Sequence, residues 1–183
     1  MKLTVNFLAF LAGWFGSVLG AAAGMPWVGP VIVLMVALLH LTIVPQPAKE
    51  LRLLLAALLI GTVIDSLATA MGWLSFNTGI VVEGLAPYWM AMMWVGFATT
   101  LNTCMRWLRP YPVLAFFLGL VGAPLVYGLG AKLGALTLST EPMALLGLGL
   151  SWAIALPLLY RLAKRFDGTL TATGAMPAHL AAP

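Results

Sequence analysis

A lone carboxylate, Asp65, stands inside an apolar run from about Leu51 to Trp73. It lies fourteen residues past Leu51, about 21 Å along a helix rising 1.5 Å per residue. That is about two-thirds of the way across a hydrocarbon core roughly 30 Å thick. An ionised carboxyl is costly there unless it is paired or hydrated, so it must face the interior of a helix bundle. Gly61, Thr62 and Thr69 share its helix face and supply space and hydroxyls. Such a carboxyl either binds a cation, a substrate or a proton, or it is a structural group hydrogen-bonded to Thr, Tyr or Lys. Lys132 reaches the same level from a later apolar run and is the natural partner, with Tyr127 somewhat deeper. The bland alternative for Lys132 is a lysine snorkelling to the interface. Asp65, Thr62, Thr69, Lys132 and Tyr127 are therefore the candidate ligand-binding residues.

A second polar group gathers towards the opposite end of the apolar runs. Thr99, Asn102, Thr103 and Arg106 follow i, i+3, i+4, i+7 spacing and should line one face of a fourth helix. Asn6 and His40 fall at comparable depth on the first two runs. Asn6, His40, Thr99, Asn102 and Thr103 could line a polar pocket or a solvent-filled vestibule, or simply hold helices together by hydrogen bonds. A third pattern is steric. Ala9, Gly13, Ser17 and Ala21, and likewise Ala12, Gly16, Gly20 and Gly24, recur every four residues. Small residues at that spacing let a neighbouring backbone approach, so Gly13, Gly16 and Gly20 are read as helix-packing positions. They serve either this bundle or a membrane-protein partner docked on the first helix.

Other chemistries lack their residues. The chain has one cysteine, Cys104, and two histidines, His40 and His179, which gives no metal site and no disulfide. There is no phosphate-binding glycine loop, paired-histidine motif or nucleophile elbow. No cofactor is expected. Catalysis is unsupported, although a membrane lipid enzyme using Asp65 or His40 stays open as an alternative.

The elements that carry these residues follow from composition. Hydrophobic residues make up 62% of the chain, charged residues 8%, and the mean hydropathy is +1.05. Soluble domains carry about a quarter charged residues, so this surface must face a lipid bilayer. The apolar runs give six spans, at about Val5–Ala23, Val28–Val44, Leu51–Trp73, Tyr88–Leu108, Val113–Leu133 and Met143–Leu162. The expected fold is an all-α membrane protein, one bundle of six transmembrane helices over residues 1–165, followed by a disordered cytoplasmic tail at 166–183 rich in Thr, Ala, Gly and Pro. Lys2, an apolar run and Ala21-Ala22-Ala23 outline a signal peptide, but the run is long for that role and broken by glycines, so it is read as a span. Met71-Gly72-Trp73-Leu74-Ser75-Phe76 is similar to Leu133-Gly134-Ala135-Leu136-Thr137-Leu138, with Leu19-Gly20 and Gly24 as a third copy. This is either three helical hairpins in repeat or coincidence in a low-complexity sequence. The stretch Ser75 to Gly84 is either a lid over the outer mouth or an ordinary loop.

Basic residues fix the expected orientation. Lys2, Lys49, Arg52, Arg106, Arg109, Arg161, Lys164 and Arg165 flank one side of the spans, and Lys132 alone flanks the other. The richer side is the cytoplasm, which puts both termini there. The net charge of +4 thus reports topology, and nucleic acid is not an expected partner.

The chain resembles a family of small bacterial inner-membrane proteins known only as a domain of unknown function. The likeness rests on Asn6, Trp14-Phe15, Val18-Leu19-Gly20-Ala21, Pro26-Trp27, Glu50-Leu51-Arg52, Asp65, Ser75-Phe76, Pro87-Tyr88-Trp89, Phe97-Ala98-Thr99-Thr100-Leu101-Asn102, Gly122-Ala123-Pro124, Tyr127 and Leu133-Gly134-Ala135. Relatives are often encoded beside enzymes similar to cyclopropane-fatty-acid synthases, which implies a part in envelope lipid modification. In architecture the chain is also similar to the substrate-binding subunits of energy-coupling-factor vitamin transporters. The expected function is transport or handling of a small or lipidic molecule. The alternative is a non-transporting assembly subunit docking a membrane enzyme or transporter.

Overall fold

The computed structural model describes residues 3–171, 173–175 and 177; Lys2 and His179 lie outside them. Six helices follow in order: α1 (Leu3–Ala22), α2 (Val28–Ile43), α3 (Pro47–Ala70), α4 (Tyr88–Leu101), α5 (Pro112–Lys132) and α6 (Pro142–Arg165). Proline opens α3, α5 and α6, where its missing N–H belongs to a position without an intrahelical acceptor. Four helices, α1, α3, α5 and α6, are long and apolar enough to cross a membrane. The apolar α2 has 16 residues and α4 has 14.

The odd-numbered helices end alike. A glycine with φ of +75°, +72° or +85° follows each, at Gly24, Gly72 and Gly134. The next residue's N–H bonds back to the helix: Met25 to the Gly20 carbonyl (2.7 Å), Trp73 to Ala68 (2.9 Å) and Ala135 to Gly130 (3.1 Å). This paired 6→1 and 5→2 closure needs a left-handed residue, which only glycine adopts freely. The two similar hexapeptides then lie side by side. Leu74–Ser75 (β1) pairs antiparallel with Thr137–Leu138 (β2), Leu74 opposite Leu138. These caps define one end of the bundle. The other, the basic end, carries the residues around Glu50, Arg106 and Arg165.

Each even-numbered helix packs back on its predecessor, and α4 also contacts α1, α2 and α6. The small-residue face of α1 is used against α2. A Cβ on Gly16 would lie 2.5 Å from Ile32 Cδ1, and one on Gly13 would lie 2.9 Å from Val33 Cγ2. Between α5 and α6, Pro124 cannot donate to the Leu120 carbonyl. Gly149 approaches that same carbonyl, so closely that an added Cβ would lie 2.5 Å from its oxygen. Polarity is inverted relative to a soluble protein. Leu59, Leu125 and Ile154 are 66–68% exposed, while Asn6, Glu50 and Asp65 are fully buried. Water would penalise both halves of that arrangement, and lipid favours both.

Two expectations need correction. The fourth helix stops at Leu101 instead of running to Leu108, and a 3₁₀ turn at Arg106–Leu108 follows. Of the expected stripe, Thr99 alone is α-helical and Arg106 falls in the 3₁₀ turn. The helix ends where side chains take a backbone acceptor. The Thr99 carbonyl, one turn before Thr103, is met by the Thr103 hydroxyl (2.6 Å) and by Asn6 Nδ2 (3.3 Å), the Thr103 N–H bonds the Thr100 carbonyl instead, and Asn102 turns towards Glu50. The expected disorder from residue 166 also fails for its first residues. Asp167 and Thr169 are buried against the basic end, held by Arg106 and Arg109, and Glu50 accepts from the Gly168 N–H between them. Their ion pairs and backbone bonds outweigh the composition of the segment. Residues 172, 176 and 178–183 lie outside the described residues.

Candidate functional site

Asp65 lies on the inward face of α3, one turn after Gly61. Gly61 matters because the Trp94 indole of α4 rests directly on its Cα, where any Cβ would collide with the ring. That approach lets Trp94 Nε1–H donate to Asp65 Oδ2 at 2.7 Å. From α5, the Tyr127 hydroxyl donates to Asp65 Oδ1. Trp152 of α6 directs its Nε1–H at the Tyr127 oxygen from 3.4 Å and stacks on Trp94 with centroids 4.2 Å apart. A carboxyl group, a phenol and two indoles from four helices thus form one chain. All donors to the carboxyl are neutral. Among the described residues no cation pairs with it.

Not all the candidates meet there. Asp65 and Tyr127 do. Thr69 bonds the backbone carbonyl of Asp65 at 2.8 Å, and Thr62 bonds that of Leu58 at 2.7 Å, so both hydroxyls serve their own helix. Lys132 is exposed at the end of α5 and makes no ion pair among those described. Trp94 and Trp152 did not emerge from spacing. A signal existed, because tryptophan normally sits at membrane interfaces. One in mid-helix carries a donor that needs a buried acceptor.

Beside this chain of bonds runs a cleft of about 500 Å³. Phe10 and Trp14 of α1 form one wall, Gly122 and Val126 of α5 the other, and Met93 and Phe97 of α4 the floor. It exists because α5 packs on α6 while α1 packs on α2 and α4, leaving the two parallel helices apart. Trp94, Tyr127 and Trp152 also line it, and among the described residues no charged side chain does. The wall is consequently apolar apart from one phenol and the indole N–H edges.

The second cluster assembles at the basic end around Glu50, which spacing did not single out because it sits between Lys49 and Arg52 in a charged flank. Its Oε1 accepts from Asn102 Nδ2 (2.9 Å) and the Gly168 N–H (2.8 Å). His40 Nε2 lies 3.1 Å from Oε2. Asn6 Nδ2 donates to the Thr99 carbonyl at 3.3 Å, and Thr103 Oγ1 lies 2.6 Å from Asn6 Oδ1. All five expected residues are buried here and bonded to protein atoms. The bonds join α1, α2 and α3 to the segment at the end of α4. Outside this cluster, Asp167 pairs with Arg106 (2.7 Å) and Arg109 (2.8 Å). Burial opposes its charge, but hydrogen bonds from Thr169, Arg109 and Arg106 outweigh burial and hold its carboxyl below the ordinary 3.8.

Apolar helices with lipid-compatible surfaces around a buried polar interior define a membrane-embedded helical protein. The chain belongs to a family described as protein of unknown function (DUF2878), whose pattern covers residues 3–158. That range takes in the Asp65 network and ends before Asp167. No curated protein and no solved structure matches the chain.

Proposed function

We propose that this protein spans a bacterial inner membrane six times, as three repeated hairpins with both termini cytoplasmic, and handles a lipidic molecule in the cleft between α1 and α5. One observation carries the reading: an uncharged cleft of about 500 Å³ opens between two lipid-compatible helices. That size falls within the roughly 300–1,000 Å³ range of small-molecule sites. The charge asymmetry of the connections supports the orientation. A docking role for the first helix has weaker support, because its glycines already face α2.

The test uses Gly122, where an added Cβ meets nothing within 4 Å and would project into open space beside the cleft. Gly122→Leu should fold as stably as the parent while narrowing the cleft. Gently solubilised parent protein, analysed by native mass spectrometry, should carry a bound lipid that this variant loses. A parent that carries no lipid, or a variant that retains it at equal occupancy, would count against the proposal. So would a stoichiometric protein partner displaced by the same substitution.

A further inference from the structure

We infer that the occupant of the cleft is a single-chain lipid ending in an uncharged hydroxyl, which Tyr127 receives; this rests on the reading of the cleft as a lipid site. The cleft is shaped for a chain. Its α1 wall extends from Phe7 to Val18, eleven residues or about 17 Å at 1.5 Å per residue. Gly122, where an added Cβ meets nothing within 4 Å, keeps the facing α5 wall shallow.

The charge of the ligand follows from the lining, which among the described residues holds no Lys, Arg, His, Asp or Glu. A phosphate, carboxylate or ammonium drawn in would be desolvated without a counter-ion, which is prohibitive in an apolar site. The hydrogen-bonding character follows from Tyr127. Its single proton is committed to Asp65, and Trp94 is likewise committed to that carboxyl. The phenol oxygen can also accept, and Trp152 holds that acceptor only through a long 3.4 Å contact. What remains is an acceptor, so the ligand must donate. A hydroxyl can donate to Tyr127 Oη and also accept from the loosely held Trp152 N–H, whereas an ether or ester can only accept. Tyr127 lies near the cap end of α5, so the chain would run from there towards Phe7 and Met105 at the basic end.

The experiment measures quenching of intrinsic tryptophan fluorescence in full-length protein by a chain-brominated hexadecanol, because Trp94 and Trp152 line the cleft. Displacement is then titrated with hexadecanol, hexadecyl methyl ether, hexadecane and palmitate at neutral pH. Hexadecanol should compete about fivefold to tenfold better than the ether or the hydrocarbon, the worth of one buried hydrogen bond. Palmitate should not compete. Tyr127→Phe should bring the alcohol down to the level of the ether and leave hexadecane unchanged. Equal binding of alcohol, ether and hydrocarbon to the parent protein overturns the inference while sparing the lipid site, and that comparison needs no variant. Preferred binding of palmitate overturns it too. If no probe binds, hexadecane included, the reading of the cleft itself falls.

Discussion

Asp65 and Tyr127 occupy the same place in successive hairpins, each seven residues before a left-handed glycine, and they are hydrogen-bonded to each other across the bundle. Ser17 holds the corresponding position before Gly24 in α1, where it packs on Gly29. Its hydroxyl is the one buried side-chain polar atom without a hydrogen-bond partner among those described. The shared cap sets depth, because counting back from it puts each polar residue at one level. Two of the three have partners, and the third is enclosed by its own hairpin.

Asp65→Asn should preserve the fold. The new amide oxygen can accept from Trp94, and its NH₂ can donate to the Tyr127 oxygen after that hydroxyl rotates. Asp65→Leu leaves an indole and a phenol proton without acceptors, and each costs about 1–3 kcal/mol. Thermal unfolding in detergent and accumulation in membranes should therefore rank parent and Asn close together, with Leu far below. Equal stability of Leu and parent would show that the network contributes nothing to folding.

Glycines with different surroundings should respond differently. Gly61→Ala drives a Cβ into the Trp94 ring. Gly20→Leu meets the Met25 carbonyl, 2.9 Å from where its Cβ would lie, and that backbone atom cannot rotate away. Overpacking of this kind costs about 1–3 kcal/mol. Both variants should melt earlier than the parent with no partner present, and Gly61→Ala should also shift tryptophan emission. Unchanged melting of the α1 variant would return the glycine face to a docking role.

Asp167 should release its segment as acid is added. A carboxyl held below its unfolded-state value stabilises the folded form above that value and loses the contribution as pH falls through the folded one. The window therefore lies below 3.8. At neutral pH, Asp167→Asn removes a charge-assisted anchor worth about 1.5 kcal/mol, the low end for charged hydrogen bonds because both arginines are partly solvated, or roughly tenfold in opening. Amide exchange at Gly168, corrected for its intrinsic pH dependence, should accelerate accordingly. No acceleration would show that the backbone bonds to Glu50 and Gln46 suffice.

Reporter fusions test the orientation. One after Phe166 and one within Ser75–Glu83 should report opposite compartments, with the first cytoplasmic. A fusion after Phe166 on the far side would defeat the six-span arrangement.

The apolar runs, their breaks at Pro47, Pro112 and Pro142, and the glycine signature after α3 and α5 were all legible from the sequence. Each is set by residues within a turn or two of one another. So was the inward placement of Asp65, since a carboxyl among apolar residues has few other refuges. The sequence by itself also suggested Tyr127, through its depth, but it paired Asp65 more readily with Lys132 on charge alone. Only the tertiary structure decided which groups meet. Trp94 reaches Asp65 because Gly61 lacks a side chain, and Tyr127 does so from 62 positions away. The same holds for Glu50, whose partners Asn102 and Gly168 are 52 and 118 positions distant. The cleft was least legible of all, because an unfilled space between α1 and α5 depends on where four other elements pack, and no local pattern of residues encodes a contact that is not made.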